Sequence, residues 1–363
     1  MRIVDVQARV IEAPRRPFHF RPDLYWGGDK METVLVRIMT DDGLQGEFIP
    51  YIGMGTVIKH VIEQVYKPAL MGEDPLNRER LWHKISDLDL SAKAPIYTHG
   101  ALDVALWDLI GKRLNIPLYK LLGGYRDRIR CYASTLTFET VDDYAKNAKE
   151  YVTRGYSAIK LHAWGDVKRD MEACRVVRDA VGEDIVLMFD AALAYDHEEA
   201  LFAGRELEKL GYYWFEDPLR NYDAYGYREL RRKLRIPLVI DESASGGVYE
   251  IASNILAGNT GIVHSDVFLK GGFTGLIKIA NVCDAFGIKC QVHGPGAANL
   301  HAACAIRNCE YYESIVPEDT YHFGVKEAPI TPDKDGFVRP PDSPGLGHEI
   351  DWDWVDKYAV EDV

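Results

Sequence analysis

Beyond residue 130 the chain repeats one pattern eight times: a short apolar run, followed in all but the last case by a stretch of helical periodicity. The runs occupy residues 131–136, 158–162, 185–190, 212–216, 238–242, 262–267, 290–293 and 311–315, with amphipathic segments such as 166–180, 197–210 and 274–286 between them. Continuous apolar runs are what parallel strands buried on both faces require. Eight such strands alternating with seven helices fit a closed parallel barrel. An open doubly wound sheet is the alternative, but it rarely needs eight such regular units.

The first 125 residues read differently. Strand-like alternation at 1–12 and 32–39 flanks a loop, 13–30, rich in Pro, Arg and aromatic residues. Helical periodicity follows, clearest at 96–114, where Leu102, Ala105, Leu106 and Leu109 fall on one face. Gly123-Gly124 breaks that pattern and marks the expected boundary between a first α+β unit, 1–125, and a barrel unit, 126–325. A length of 363 residues fits about two such units.

A formal charge of −13 argues against a nucleic-acid partner, because phosphate binding needs clustered Lys and Arg. No stretch approaches the roughly 18–20 apolar residues of a membrane span, and the start, Met-Arg-Ile-Val-Asp-Val-Gln, offers no signal-like apolar run. The six cysteines form no Cys-x-x-Cys pair and sit in apolar, periodic segments. Buried free thiols in a reducing cytoplasm, with no membrane partner, are therefore expected.

The chemistry lies at the ends of the apolar runs. Nearly every run closes on a residue that is costly to bury: Lys160 and His162, Asp190, Glu216, Asp241-Glu242, Asp266, His293 and Glu313. A single carboxylate after a strand is ordinarily a helix cap, but seven strand ends in succession are not explained that way. In a parallel barrel these ends converge on one mouth, where active sites form. Asp190, Glu216 and Glu242 are each 26 residues apart, one strand-helix unit, so they come from neighbouring strands. Three oxygen ligands without His or Cys suit a hard cation such as Mg²⁺. Adjacent strand residues face opposite ways, so only one of Asp241 and Glu242 should ligate; the regular spacing favours Glu242 and leaves Asp241 as the alternative.

A base completes the set. Asp266 ends one strand and His293 the next, so the carboxylate can hold the imidazole's tautomer. Lys160 and His162, two apart, share a face on the opposite side. Glu313 could hydrogen-bond a substrate carboxylate if protonated. His264 is expected one layer deeper, as a satisfied core histidine. The segment Gly294-Pro295-Gly296-Ala297-Ala298-Asn299 reads as a tight turn at the mouth rather than a dinucleotide loop.

Together these residues resemble the enolase superfamily, specifically its mandelate racemase subgroup. The likeness spans nearly the whole chain: Gly100-Ala-Leu-Asp-Val-Ala-Leu-Trp-Asp108, Gly111-Lys112 and Leu121-Leu-Gly-Gly124, then Phe189-Asp190, Phe215-Glu216-Asp217-Pro218, Asp241-Glu242-Ser243, Asp266 through Gly271-Gly272-Phe273-Thr274-Gly275, and His293. It implies a (β/α)7β TIM-like barrel under an N-terminal α+β capping domain, with segment 326–363 packing back on the cap. It implies Mg²⁺ on Asp190, Glu216 and Glu242. It also implies abstraction of the proton beside a substrate carboxylate, with Lys160, His162, Asp266, His293 and Glu313 as the catalytic set. A small hydroxy-carboxylate partner and a homo-oligomer are expected. The chain departs from the family in carrying His162 where a second Lys is usual and Ala192 where Asn is common; its Asp241-Glu242-Ser243 looks more like the lactonizing side. His19, Arg21, Tyr25 and Trp26 of the cap loop, with Tyr51, suit a hydroxylated, anionic substrate. Dehydration of an acid sugar needs only His293, whereas a racemase or epimerase needs a second base, so dehydration is preferred. A non-catalytic metal-binding or ligand-binding barrel is the distant alternative.

Overall fold

A computed structural model describes residues 1–14, 20–23, 30–240, 246–318, 322–326 and 328–360. Its first unit is an antiparallel sheet of β1 (Ile3–Pro14), β2 (Lys30–Thr40) and β3 (Gln45–Phe48), paired in that order. Val6, Ala8 and Val10 of β1 alternate inward, and helices over 55–70, Arg78–Ala92 and Ile96–Leu114 cover that face.

The second unit is a closed parallel ring. Strands β4 (Ile129–Thr135), β5 (Ala158–His162), β6 (Val186–Asp190), β7 (Phe215–Glu216), β8 (Leu238–Ile240), β9 (Ile262–Ser265), β10 (Lys289–Val292) and β11 (Tyr311–Val316) pair in sequence, and β11 returns to β4. The short β12 (Phe337–Val338) lies antiparallel on the start of β4. Every residue of β5 and of β11 is buried, as strands covered on both faces must be. The barrel interior is filled by Tyr132, Ala158, Met188, Trp214, Val239, Ile262 and Tyr311. Two residues further along the same strands stand Lys160, Asp190, Glu216, His264 and Glu313. Period-two alternation thus stacks a polar layer directly on an apolar plug.

The helix Ile96–Leu114 docks the cap on the barrel. A Cβ at Gly100 would lie 1.9 Å from the Phe268 carbonyl oxygen, so only glycine lets the helix approach the segment after β9. The buried Asp103 accepts from Thr274 N–H at 3.0 Å and Thr274 Oγ1 at 2.8 Å, while Trp107 Nε1 donates to that hydroxyl at 2.9 Å. Burial raises the Asp103 carboxyl to about 7. The motif 100–108 therefore holds cap to barrel beside the segment that carries Asp266. At the other end Ile350 and Val355 pack on Ile11, Ala13, Leu35 and Ile49 of the cap. Cys131, Cys174, Cys283, Cys290, Cys304 and Cys309 are buried free thiols. Among the described residues no helix is long and apolar enough to cross a membrane.

Candidate active site

Register brings the ionisable strand ends together. His162 pairs with Asp190 across β5–β6, and Asp190 with Glu216 across β6–β7, so three successive polar residues stand in a row. Lys160 is buried beneath them. Its Nζ lies 2.9 Å from Glu216 Oε1, 2.9 Å from Glu313 Oε1 and 3.7 Å from Asp190 Oδ2. Burial disfavours the ammonium, yet Glu216, Glu313, Tyr132 and Asp190 hold its pKa well above the usual lysine range.

Glu216 has no slack in its orientation. Trp214 Nε1 donates to Oε2 at 2.9 Å, and His264 Nδ1 lies 2.8 Å from Oε1. His264 is thus a buried histidine, as expected, but it is tied to a site carboxylate rather than merely filling space. Asp190 Oδ1 accepts from Ala192 N–H at 2.7 Å, and Ala192 and Leu193 sit at φ +48° and +63°, the conformation an Asn at 192 would adopt more readily. His162 Nε2 lies 3.1 Å from Asp190 Oδ2, so this histidine has a carboxylate neighbour that its sequence context did not reveal. Its Nδ1 is buried without a hydrogen-bond partner among the described residues, and Phe20 packs on the ring at 4.7 Å between centroids.

Across the mouth, His293 Nδ1 stands 3.4 Å from Asp266 Oδ2. Asp266 Oδ1 accepts from Phe268 N–H at 2.6 Å and Leu269 N–H at 2.9 Å. Its Oδ2 accepts from Asn299 Nδ2 at 3.0 Å and from the Tyr51 hydroxyl at 2.9 Å. His293 Nε2 faces Glu313 Oε2 at 3.9 Å, and Gly294 N–H donates to the same oxygen at 2.7 Å. Burial pushes the Glu313 carboxyl up, but Lys160, His293, His264 and that amide together take it well below the usual carboxylate range. Glu313 thus stands between Lys160, 2.9 Å from Oε1, and His293, 3.9 Å from Oε2.

These groups border a cavity of about 1280 Å³. Tyr51, His162, Asp190, His293 and Glu313 line it at the barrel mouth, and Trp82, Leu90 and Tyr97 line its cap side. Lys160 is not among the lining residues; it acts from below the floor. Arg21 is not either; its guanidinium donates to the Ala192 carbonyl at 2.6 Å and pairs with Asp23 at 2.5 Å, which ties residues 21–23 to the segment after β6. His19, Tyr25 and Trp26, and the ligand candidates Asp241 and Glu242, lie outside the described residues. Sequence reasoning missed Phe20, Trp214 and Asn299 as members of the site. Trp214 had a usable signal, since it sits two residues before Glu216 on the same strand face.

Among the described residues no set of three or more potential ligands is arranged around one point. Asp190 and Glu216 nevertheless stand side by side with oxygens oriented by fixed donors. Among the described residues, the carboxylates of Asp190, Glu216 and Glu313 share the single ammonium of Lys160 in a buried layer. That imbalance and the all-oxygen donor set fit a hard divalent cation.

Comparison with known proteins follows the same lines. The chain is 32% identical over 336 residues to arabinonate dehydratase of Saccharolobus solfataricus, covering 88% of each. It is 30% identical over 359 residues to D-galactarolactone cycloisomerase of Agrobacterium fabrum, covering 92% of this chain and 93% of that protein. A solved structure of D-glucarate dehydratase from Agrobacterium tumefaciens, complexed with magnesium, matches with a TM-score of 0.92 at 38% identity, covering 99% of this chain and 100% of that one. Residues 5–123 match the mandelate racemase / muconate lactonizing enzyme N-terminal domain, and residues 143–354 the enolase C-terminal domain-like family. With both parts matched, the chain belongs to the mandelate racemase/muconate lactonizing enzyme family of the enolase superfamily.

Proposed function

We propose that this enzyme removes the proton beside the carboxylate of a small hydroxylated acid and expels the neighbouring hydroxyl as water. Asp190, Glu216 and Glu242 would hold Mg²⁺, which supplies Lewis-acid stabilisation to the carboxylate as negative charge develops on it. His293 Nε2 accepts the α-proton, and the resulting imidazolium is stabilised by Asp266 and Glu313. The same histidine then returns its proton to the departing β-hydroxyl, so one residue breaks the C–H bond and completes the water. From an α-hydroxy acid the enol so formed tautomerises to a 2-oxo acid.

The observation that carries the one-base reading is an asymmetry between the two histidines. His293 has its Nδ1 against Tyr51 and Asp266, leaving Nε2 toward the mouth, as a base requires. His162 has its Nε2 against Asp190, and among the described residues no comparable pair orients it as a base. A racemase or epimerase would need His162 to release that contact. The discriminating experiment screens mono- and di-acid sugars in deuterated water, following water loss and α-proton exchange in the same sample. Keto-acid product with exchange supports the dehydratase; inversion without water loss supports the epimerase; neither, across the library, removes the enzymatic reading.

The ligand assignment is tested separately. Chelation should abolish activity and Mg²⁺ should restore it, because the clustered carboxylates would otherwise repel one another. Full activity after exhaustive metal removal would overturn the assignment. Glu242→Gln should cost far more activity than Asp241→Asn; the reverse order would move the third ligand to Asp241. Asp241 and Glu242 lie outside the described residues, so this pair of variants makes the choice between them.

A further inference from the structure

We infer that Tyr51, a residue of the cap, is a positioning residue inserted between His293 and Asp266, and that it fixes the tautomer in which Nε2 is the base. Its catalytic consequence rests on the proton-abstraction reading above; its geometry stands without that reading. The Tyr51 hydroxyl lies 2.9 Å from Asp266 Oδ2 and 3.2 Å from His293 Nδ1, whereas the direct Nδ1–Oδ2 separation is 3.4 Å. Hydrogen bonds to oxygen weaken beyond about 3.2 Å, so the better-formed path from imidazole to carboxylate runs through the tyrosine.

Donor and acceptor accounting then sets the proton positions. An ionised carboxylate only accepts, and a phenol has one O–H to give. Asp266 is surrounded by donors, namely Phe268 N–H, Leu269 N–H and Asn299 Nδ2, which suits a carboxylate rather than an acid. The Asn299 amide is held in this orientation because its Oδ1 accepts from Val267 N–H at 3.1 Å. Tyr51 must therefore donate to Asp266, since otherwise two acceptors would meet at 2.9 Å. Its oxygen can then only accept from His293, so the imidazole carries its proton on Nδ1. In the neutral ring Nε2 is left with a lone pair.

The chain leaves room for this insertion. Gly294 has φ +82°, and a Cβ there would lie 2.8 Å from both Asp266 Oδ2 and Tyr51 Oη. Tyr51 itself is delivered just past β3, where Thr33 Oγ1 donates to the Pro50 carbonyl at 2.7 Å. The tautomer of a barrel residue is thus set by the seating of the cap. Glu313, 3.9 Å from Nε2, and the His264 ring, 5.2 Å away, also face the imidazole.

The test compares ¹⁵N-histidine spectra of the full-length wild type and Tyr51→Phe in Mg²⁺ buffer, with the His293 signals identified by their loss in His293→Asn. Wild type should show neutral His293 protonated on Nδ1 alone. Tyr51→Phe should populate the Nε2-protonated form and lower kcat about 10–100-fold, the usual cost of losing an outer partner of a functional histidine, with KM little changed. Gly294→Ala, which keeps the hydroxyl but pushes it aside, should shift the tautomer in the same direction. An unchanged tautomer in both variants overturns the proposal. So does a raised KM at constant kcat, which would return Tyr51 to the substrate-contact role expected from sequence. If wild type exchanges no α-proton in any acid tried, the functional reading fails while the spectra still decide the role of Tyr51.

Discussion

Substituting His293 with Asn should depress α-proton exchange by at least the ~10²–10⁴-fold typical of a general base, while His162→Asn keeps exchange within the wild-type order of magnitude. The expectation follows from wiring rather than distance to substrate. Asp266 receives two backbone amides, an Asn side chain and a tyrosine hydroxyl, so the carboxylate that stabilises a protonated His293 cannot rotate away. His162 faces Asp190, which the ligand assignment commits to a cation. Incubating each variant with substrate in deuterated water and following the α-signal by NMR separates the cases. Loss of exchange at only one stereoisomer in each variant would mean two bases and an epimerase.

What the sequence reveals and what it hides divide along range. Barrel and site layer are legible because both depend on period two within a strand: Met188 then Asp190, Trp214 then Glu216, Ile262 then His264. The equal spacing of Asp190 and Glu216 reads directly as neighbouring strands, and their register bears that out. Tyr51, Asn299 and Arg21 are different. Tyr51 meets Asp266 across 215 positions and Arg21 meets Ala192 across 171. No periodicity announces such a contact, so the Tyr51 hydroxyl on Asp266 and the Arg21 guanidinium on the Ala192 carbonyl are visible only in the fold. Glu313 is hidden for an electrostatic reason: burial alone argues for a neutral acid, and Lys160, His293, His264 and the Gly294 amide oppose it together.

Lys160→Met should be among the most destabilising single substitutions in the barrel, because it deletes a buried cation shared by Asp190, Glu216 and Glu313. Met matches the unbranched stem, so the loss is of charge rather than of volume. Removing one partner of a buried ion pair typically costs ~3–5 kcal/mol, since the other charge stays buried. Urea unfolding at neutral pH would measure it. The pH dependence identifies the cause. In the wild type the Glu313 carboxyl lies below its unfolded value, so its contribution is complete above the ordinary carboxylate range and fades as pH falls through the lowered value. Without Lys160 the largest opposing charge is gone and burial should raise Glu313 instead. The variant then gains stability as pH falls from neutral through the raised value, and the gap to wild type narrows toward pH ~5. Added Mg²⁺ should also stabilise the variant more than the wild type, because it would meet one more uncompensated charge. A gap below about 1 kcal/mol, the scale of an exposed pair, or a gap that does not change with pH, would mean that Lys160 is not the counter-charge of this layer.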